Sequence, residues 1–542
     1  MLCRCFGGFH ARTARTGCLI LLASAAFAQS ANSIVISNRA AARFLTQATF
    51  GPTPQTIAHL QAIGFEAWLT EQFVVAPSTY PDPVPDANGK TSWVPTQQQF
   101  FLNAVGGADQ LRQRVAWALG QIWVVSGVKL NRPEYALPYI RMLSADAFTN
   151  YRQIMKDVTL SPAMGHYLDM VNNNKATAGH SADENYAREV LQLFTVGLSQ
   201  LNLDGTPVLD ANGQPVPTYS QDVIEDFAKL FTGWTYAPAA GATSKWTNPA
   251  NWNAPMVAFE NHHDTTAKTL LNGYTTLAGQ TAEADLETGF DVIMNHPNAA
   301  PFVSRQLIQH LVTGQPDPAY VARVATVFRS SNGDMRHVVR AILLDRAARL
   351  GDTAAVGGRR LNAPAIIRNP DLRGSNVAAA VDDFGTLREP VLFITATLRG
   401  LDATVAADNA LPGWSANLGE KVFFPPSVFN YFAPSYVIPG TSFNSPVFQI
   451  QSTSSAMLRA SFVNSLVYGS IRGVSYSLDS LTSATSNSTL LEYLNNVFLA
   501  GSLNPAMSST IQTAMNAQSS PDAAAQAALY LVASSQQFQV QQ

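Results

Sequence analysis

The sequence has little cysteine, and no long hydrophobic run follows its first 28 residues. Its three cysteines are Cys3, Cys5 and Cys18. A chain that begins after them would have no disulfide, no zinc–thiolate site and no cysteine nucleophile. No later stretch approaches the roughly 20 apolar residues that a transmembrane helix needs. We therefore expect no transmembrane segment in the mature chain, and stability that comes from burial of apolar side chains.

An excess of positive charge is also absent. The whole chain has 34 Lys and Arg residues against 37 Asp and Glu residues, a formal net charge of −3. Removing the first 28 residues takes away Arg4, Arg12 and Arg15, which leaves 31 basic and 37 acidic residues and a charge of −6. No basic stripe is visible, so the charge excludes nucleic acid and anionic membrane surfaces as expected partners.

The usual signatures of catalytic sites are missing as well. The sequence has no H-E-x-x-H or H-x-H pattern, no G-x-S-x-G nucleophile turn, and no phosphate-binding or dinucleotide-binding glycine motif in the required context. A metal site needs three or four converging ligands, and no such spacing occurs. The sequence therefore predicts no metal site and assigns no cofactor.

The first 28 residues have the pattern of a secretory signal peptide. Basic residues precede an apolar run over 18–27, and Ala26-Phe27-Ala28 forms a small-x-small cleavage site before Gln29. The run is too short to span a bilayer. We expect residues 1–28 to be removed and the protein to be exported, to the periplasm or to the extracellular medium.

Helical periodicity dominates the rest of the chain. Residues 53–64 show it clearly, with Thr53-Pro54 as a helix start and Gly64 as its end. The turn residues of 204–213 predict a small hairpin between two helices. We expect a mainly α fold, a large multi-helix globular domain with short β-hairpin excursions. Residues 29–468 are assigned to the main domain, and residues 469–542 to a Ser/Thr-rich loop and a C-terminal helical extension packed on it.

The segment 181–197 combines an apolar helix face with an ordered polar stripe. Ser181 and Glu184 stand in the capping-box relation, which predicts a helix that begins there. The stripe consists of Asn185, Arg188, Glu189 and Gln192. One interpretation is a solvated face with a surface Glu184–Arg188 pair. The other is an inward face that holds a polar ligand or locks neighbouring loops.

Several short sequence motifs along the chain resemble those of one bacterial family. They are RFLTQATFGPT at 43–53, ENYARE and LFTVG within 184–197, YSQDVIEDFAKLFTGW at 219–234, HHDTTAKTLLNG at 262–273, RAILLDRAAR at 340–349 and FFPPSVFNYFAPSY at 423–436. In this respect the chain is similar to the family catalogued as domain of unknown function 1800. The family has no established activity. Its members are frequently encoded beside a second exported family, so the resemblance implies a partner.

The HHDTTAK motif contains candidate catalytic residues. An adjacent His-Asp pair can act as acid and base, because imidazole titrates near neutrality. The alternative is a loop in which Asp264 caps a turn and pairs with Lys268. Burial of a polar stripe is costly unless other charged groups satisfy it. We therefore expect one polar pocket that is built from Asn185, Arg188, Glu189, His263, Asp264 and Lys268. The resemblance also shows a departure, since the family usually has a glutamate where this chain has Gln192.

Aromatic residues supply a second candidate site. Trp234, Phe429, Tyr431 and Tyr436 are interleaved with prolines and polar residues, as in surfaces that bind a sugar or a peptide. A buried loop that is made rigid by its prolines is the alternative.

Two functional classes remain open. The first is an extracytoplasmic hydrolase or modifier of polymeric or cell-surface substrates that uses the polar pocket. The second is a non-catalytic accessory or surface-binding protein that acts with an exported partner or a surface polymer. Convergent polar residues in a concave site would favour the enzyme, and scattered ones beside an aromatic surface would favour the binding protein.

We expect the mature protein to begin at Gln29, because no other small-x-small site lies just after the apolar run. Intact-mass analysis of the protein collected outside the cytoplasm checks this. Retention of Met1 would contradict both the export and the argument from absent cysteines.

Overall fold

The computed structural model describes residues 35–352, 384–482 and 486–541, together with a strand pair at 355–356 and 359–360. The predicted signal peptide, residues 1–28, lies outside the described residues. Within them, residues 36–541 belong to one compact unit that is made mainly of helices. The predicted mainly α fold is confirmed.

The first part of the described chain is mainly helical. Its helices are α1 (Asn38–Ala48), α2 (Pro54–Ile63), α3 (Phe65–Val74), α4 (Trp93–Gly106), α5 (Gln110–Ile122), α6 (Pro133–Asp146), α7 (Tyr151–Leu160), α8 (Pro162–Tyr167), α9 (Asn185–Glu189) and α10 (Gln221–Leu230). A π-helix, Val190–Thr195, continues α9 directly. As predicted, α2 begins after Thr53, whose hydroxyl forms a capping box with Thr56, and ends at Gly64.

The second part of the chain is mainly helical as well. Its helices are α11 (Ala282–Met294), α12 (Ala299–Leu311), α13 (Pro318–Ser330), α14 (Met335–Leu344), α15 (Pro390–Gly400), α16 (Leu411–Asn417), α17 (Thr453–Tyr468), α18 (Asp479–Thr482), α19 (Asn487–Val497), α20 (Pro505–Asn516), α21 (Pro521–Ala533) and α22 (Gln536–Gln539). Short 3₁₀ turns lie at Glu260–His262, Leu271–Gly273, Leu350–Asp352 and Pro446–Ile450.

The described strands are two residues long and form antiparallel pairs. The pairs are β1 (Trp234–Thr235) with β2 (Val257–Ala258), β3 (Ala355–Val356) with β4 (Arg359–Arg360), β5 (Thr386–Leu387) with β8 (Val540–Gln541), and β6 (Thr404–Val405) with β7 (Val474–Ser475). The hairpin predicted around 204–213 is present as isolated antiparallel β-bridges, which pair Leu201 with Pro207 and Leu209 with Pro215.

Two helices lie at the centre of the fold. Every residue of α15 is buried, which is the property of a helix enclosed on all sides rather than of an amphipathic surface helix. Most of α5 is buried too, including the polar side chains of Gln113, Arg114 and Gln121. Buried polar groups need hydrogen-bond partners, so the surroundings of α5 and α15 hold the polar contacts that matter for a site.

The C-terminal residues pack against this centre. Strand β8 pairs with β5, which directly precedes α15. The Gln541 Nε2 atom donates to the carbonyl oxygen of Leu311 at the end of α12, over 2.8 Å. Phe538 is buried and lies 5.8 Å from the ring of Phe393 in α15. The last helices therefore contribute side chains to the core of the main body.

The helix of segment 181–197 differs from its prediction. It begins at Asn185 rather than at Ser181, and the capping box is absent: the Asp183 carboxylate accepts from the Asn185 N–H instead, at 2.8 Å. After five residues it becomes the π-helix. Because a π-turn inserts an extra residue, the 3.6-residue periodicity that was read from the sequence does not hold across 190–195.

The described part of the chain contains no helix that is both long enough and apolar enough to cross a membrane.

Candidate functional site

The predicted polar residues of α9 lie at the surface or near it. The Arg188 Nη2 atom is 2.8 Å from a Glu184 oxygen, and the two side chains are 42% and 32% exposed. The same guanidinium donates to Gln221 in α10. Asn185 donates to the Asp169 carboxylate at 3.0 Å. These contacts match the interpretation as a surface i,i+4 pair with polar neighbours.

Glu189 is the buried member of this stripe. Burial raises the pKa of its carboxyl group above the usual value, and the positive charge of neighbouring Arg188 acts in the opposite direction. Its Oε2 atom has no hydrogen-bond partner among the described residues.

His263 and Lys268 form a separate cluster that is fully buried. Both side chains contact the same Asp285 oxygen, His263 through Nε2 at 3.0 Å and Lys268 through Nζ at 2.6 Å. The other ring nitrogen of His263 lies 3.0 Å from the carbonyl oxygen of Thr232. All three side chains are 0% exposed, so this cluster is a packed charge network rather than an open pocket.

Asp264 and Gly233 shape the loop that carries this cluster. The Asp264 carboxylate accepts hydrogen bonds from the backbone N–H and the hydroxyl of Thr266, as in an Asx turn. Lys268 Nζ donates to the Asp264 carbonyl oxygen at 2.6 Å. Gly233 has a φ of +85°, and a Cβ at this position would lie 2.9 Å from the His263 backbone nitrogen. The TGW and HHD motifs are therefore packed tightly against each other at Gly233 and His263.

The six residues of the predicted pocket are therefore in two places. Arg188 contacts Gln221 at the start of α10, whereas Asp264 interacts electrostatically with Lys229 near its end. Eight residues of helix separate those contacts by about 12 Å. Within the described ranges, no hydrogen bond or ion pair joins the Asn185–Glu189 group directly to His263, Asp264 or Lys268.

The four predicted aromatic residues do not share one surface either. Trp234 is buried in strand β1, and Tyr436 is partly buried. Phe429 is 49% exposed, whereas Tyr431 is buried and faces an internal cavity. The aromatic segment 423–436 thus contributes to a cavity rather than to a flat binding face.

This cavity, which we call the aromatic cavity, lies between α4, α5, α6 and residues 423–431. Its volume is about 70 Å³, which is room for several waters. Its aromatic walls are formed by Tyr80, Trp93, Phe100, Trp117, Tyr139, Phe423 and Tyr431.

Phe423 lies at the centre of this aromatic wall. Its ring is 5.7 Å from Phe100, 6.0 Å from Trp93 and 6.3 Å from Tyr80, centre to centre. The backbone of Phe423 has a φ of +65°, and that of Asn430 has a φ of +66°. The left-handed region is costly for a bulky residue such as Phe423. Strained positions of this kind concentrate at binding and active sites.

Hydrogen bonds hold the 423–431 segment against α5 and the turn that follows it. The Gly127 N–H donates to the Phe423 carbonyl oxygen at 2.9 Å, and the Ser126 hydroxyl donates to that of Pro425 at 2.7 Å. A Cβ at Gly127 would lie 2.6 Å from the Phe424 ring, so glycine is needed for this close approach. The Asn430 amide nitrogen donates to Gln121 Oε1 at 2.9 Å.

A pair of buried glutamates lies behind the wall of the aromatic cavity. The two oxygens of Glu389 accept hydrogen bonds from Trp117 Nε1 at 2.5 Å and from Gln121 Nε2 at 3.1 Å. Glu420 Oε2 accepts from the Val391 N–H at 2.8 Å. Burial, and then the charge of Glu389, raise the pKa of the Glu420 carboxyl group well above its usual value. Both effects favour the neutral form of the Glu420 carboxyl group.

Two buried arginines supply positive charge in this region. Arg459 interacts electrostatically with Glu420. Arg114 interacts electrostatically with both glutamates, and one of its nitrogens donates to the His310 carbonyl oxygen. Burial and the charge of Arg114 lower the pKa of His310 to about 3, so its imidazole is neutral. Within the described residues, no group of three or more His, Asp or Glu side chains could hold a metal ion.

Sequence reasoning missed Gln121, Glu389, Glu420 and Asn430, because none of them belongs to a recognisable spacing. Gln121 and Glu389 are 268 residues apart. The one available signal was a polar asparagine in an otherwise aromatic and proline-rich segment.

Replacing Asp285 by Asn should destabilise the protein by about 3–5 kcal/mol, because Lys268 would keep a buried charge without a counter-charge. The matched surface substitution, Arg188→Ala, should cost less than about 1 kcal/mol, because that ion pair is partly exposed. Urea unfolding of the two variants checks both values. A larger loss for Arg188→Ala would contradict the separation of the two clusters.

Replacing Glu420 by Gln should change how stability depends on pH. With its pKa raised in the folded state, Glu420 contributes stability below its unfolded pKa of about 4.3 and loses it as pH rises toward the folded pKa. The Gln variant should therefore gain on the wild type by up to about 1.4 kcal/mol per pH unit in that range. Urea unfolding at pH 4.5 to 8 checks this, with exposed Glu492→Gln as the control. A constant difference across that range would contradict the raised pKa of Glu420.

Comparison with known proteins places the chain by family alone. No curated protein and no solved structure matches it. The family described as "Protein of unknown function (DUF1800)" matches over residues 43–540, which is nearly the whole chain and includes every motif from RFLTQATFGPT to FFPPSVFNYFAPSY. The chain therefore belongs to the DUF1800 family.

Proposed function

We propose that this chain is an exported, non-catalytic binding protein whose aromatic cavity receives an apolar, ring-bearing part of its ligand. The observation that carries the proposal is the cavity wall, in which seven aromatic residues surround a space open to solvent at one side. Export is supported by the sequence pattern of residues 1–28.

The chemistry of the lining favours an apolar ligand. Aromatic rings pair with other rings in tilted and edge-on arrangements, which contribute beyond the area that they bury. Apart from the three tyrosine hydroxyls, the hydroxyl and amide side chains in the described wall are those of Gln113, Gln121, Ser144 and Asn430. Small-molecule sites typically combine such an apolar wall with a small number of placed polar groups.

The lining lacks a group suited to hydrolysis. Its titratable side chains are the phenols of Tyr80, Tyr139 and Tyr431, and burial raises the pKa of each, so all three stay neutral. A general acid or base works best with a pKa near the operating pH. The cavity is therefore better suited to binding than to proton transfer.

The hydrolase alternative is favoured by one observation, the Glu389–Glu420 pair. Paired carboxylates serve as acid and base in many hydrolases. Here the side chains of Trp117 and Gln121 separate the pair from the aromatic cavity, and both oxygens of Glu389 are already hydrogen-bonded. Glu420 is fully buried.

Filling the cavity tests the proposal. Gly120 lines it from α5, and the nearest atom to a Cβ there is Leu143 Cδ1 at 3.8 Å, so Gly120→Leu should fold and occupy the space. Leucine also has a higher helix propensity than glycine. We expect phenol, pyridine or fluorobenzene to bind the wild type, and binding to fall at least about 10-fold in this variant, as measured by ligand-observed NMR titration.

Gly413→Leu is the matched control, because Gly413 also lies in a helix, α16, and nothing is within 4 Å of a Cβ there. It does not line the cavity. Equal binding by the wild type and both variants, or no binding of any of the three probes to the wild type, would overturn the proposed function.

A further inference from the structure

We propose that a second cavity, at the N-terminus of α12, binds a phosphate or sulfate group. It lies between the end of α11, the start of α12 and the end of α13, and its volume is about 350 Å³. We call it the oxyanion cavity. None of its residues belongs to the described wall of the aromatic cavity, so this inference does not depend on the proposed function. Its polar wall residues are Asn295, His296, Arg329 and Asn332, and its apolar ones include Ala300 and Phe328.

The first turn of α12 offers a backbone donor to this cavity. The N-cap residue, Asn298, makes no capping hydrogen bond with its side chain. The Ala299 N–H donates to the His296 carbonyl oxygen at 3.0 Å, and Pro301 has no N–H. Ala300 stands between them and lines the cavity, and its N–H makes no hydrogen bond to a described residue. A helix N-terminus also carries partial positive charge, which favours an anion.

The side chain of His296 supplies a second donor, and its tautomer is fixed by the backbone. The Asn298 N–H donates to His296 Nδ1 at 3.1 Å. Because a backbone N–H cannot accept, Nδ1 must be the unprotonated nitrogen, and the ring proton lies on Nε2. Burial also lowers the pKa of His296 to about 4, so its ring is neutral at pH 7.

The Nε2–H group of His296 is open to the cavity. The residue is 5% exposed and lines the wall. In the described part of the chain, Nε2 has no hydrogen-bond partner, and it is not one of the unpartnered side-chain atoms that are shut off from solvent. A donor that is nearly enclosed and unpaired gains a hydrogen bond when an acceptor enters.

Arg329 gives the oxyanion cavity its charge. It lies in the last turn of α13, and its guanidinium stays protonated in proteins. It forms no ion pair within the described ranges. The dipole of α13 favours an arginine at this position in any case, so Arg329 alone would not indicate a ligand. Here it shares a cavity with two unpartnered N–H groups, and no Asp or Glu lies in the described wall.

A phosphate or sulfate group suits these donors better than a carboxylate does. Its oxygens point to the corners of a tetrahedron, so donors from α12, from the turn before it and from α13 can each contact a different oxygen. The oxygens of a carboxylate lie in one plane. The cavity volume is within the range of small-molecule sites, roughly 300–1,000 Å³, so an organic group attached to the phosphate also has room.

Titration with four anions at constant ionic strength and about pH 7.5 tests the inference: inorganic phosphate, methyl phosphate, sulfate and acetate. By isothermal calorimetry, we expect phosphate and sulfate to bind the wild type and acetate to bind at least about 10-fold more weakly. Tighter binding of methyl phosphate than of inorganic phosphate would identify an ester as the ligand, and the reverse order would identify the free ion. Both results support a site for the phosphate group.

Two variants remove one donor each. Arg329→Gln should weaken phosphate binding at least about 10-fold, because it removes a charged donor. His296→Asn should fold, because the new side-chain oxygen can accept from the Asn298 N–H, as the Asp183 carboxylate does from the Asn185 N–H. It loses the Nε2–H group, so phosphate binding should again fall about 10-fold.

Arg336→Gln is the matched control for the charge. Arg336 is exposed in α14, does not line the cavity and makes no ion pair with a described carboxylate. Its removal should change phosphate affinity by less than about 2-fold, because solvent and salt screen an exposed charge outside the site.

Three outcomes would overturn the inference. They are no binding of phosphate or sulfate to the wild type, equal affinities for acetate and phosphate, and equal losses in Arg329→Gln and Arg336→Gln. If circular dichroism shows that His296→Asn is unfolded, the anion series and the two arginine variants still decide the matter. Gly120→Leu should leave phosphate binding unchanged, and Arg329→Gln should leave phenol binding unchanged, so this inference and the proposed function can fail separately.

Discussion

The need to satisfy one buried carboxylate organises the centre of this fold. Glu389 stands directly before α15 and is 4% exposed, and a buried polar group without hydrogen-bond partners is costly. Its donors come from α5, and its neighbour Glu420 is tied to the first turn of α15 through the Val391 N–H. The Glu389 side chain therefore fixes the relative positions of α5, α15 and the segment that leads into residues 423–431. The position of the aromatic wall follows from this arrangement.

Much of the helical framework could be predicted from local sequence. Thr53, Pro54 and Gly64 mark the ends of α2 because capping is a property of neighbouring residues. The same reasoning placed the start of α9 at Ser181 incorrectly, because the helix begins at Asn185, whose N–H donates to the Asp183 carboxylate, and a π-helix follows it. A prediction from 3.6-residue periodicity assumes a regular α-helix, so it cannot detect the extra residue that the π-helix inserts at 190–195.

The candidate site was much less predictable than the helices. The prediction grouped polar residues by their chemical type, but these residues differ in burial. His263 and Lys268 contact Asp285 in the interior, whereas Arg188 pairs with Glu184 near the surface. The residues behind the cavity, such as Gln121 and Glu389, meet only through tertiary contacts. Nothing in their local sequence distinguishes them from ordinary surface residues. Membership of the DUF1800 family adds no activity to this picture, so the assignment depends on the geometry.

The left-handed backbone at Phe423 and Asn430 has a consequence for the kinetics of recognition. These residues stand at the two ends of a segment that hydrogen bonds also hold against α5 and the turn after it. The wall is thus in place before any ligand arrives, and association loses little conformational entropy. For a site of this kind, related ligands should enter at similar rates and differ mainly in how long they stay. Residence time, more than the rate of entry, would then distinguish a good ligand from a poor one.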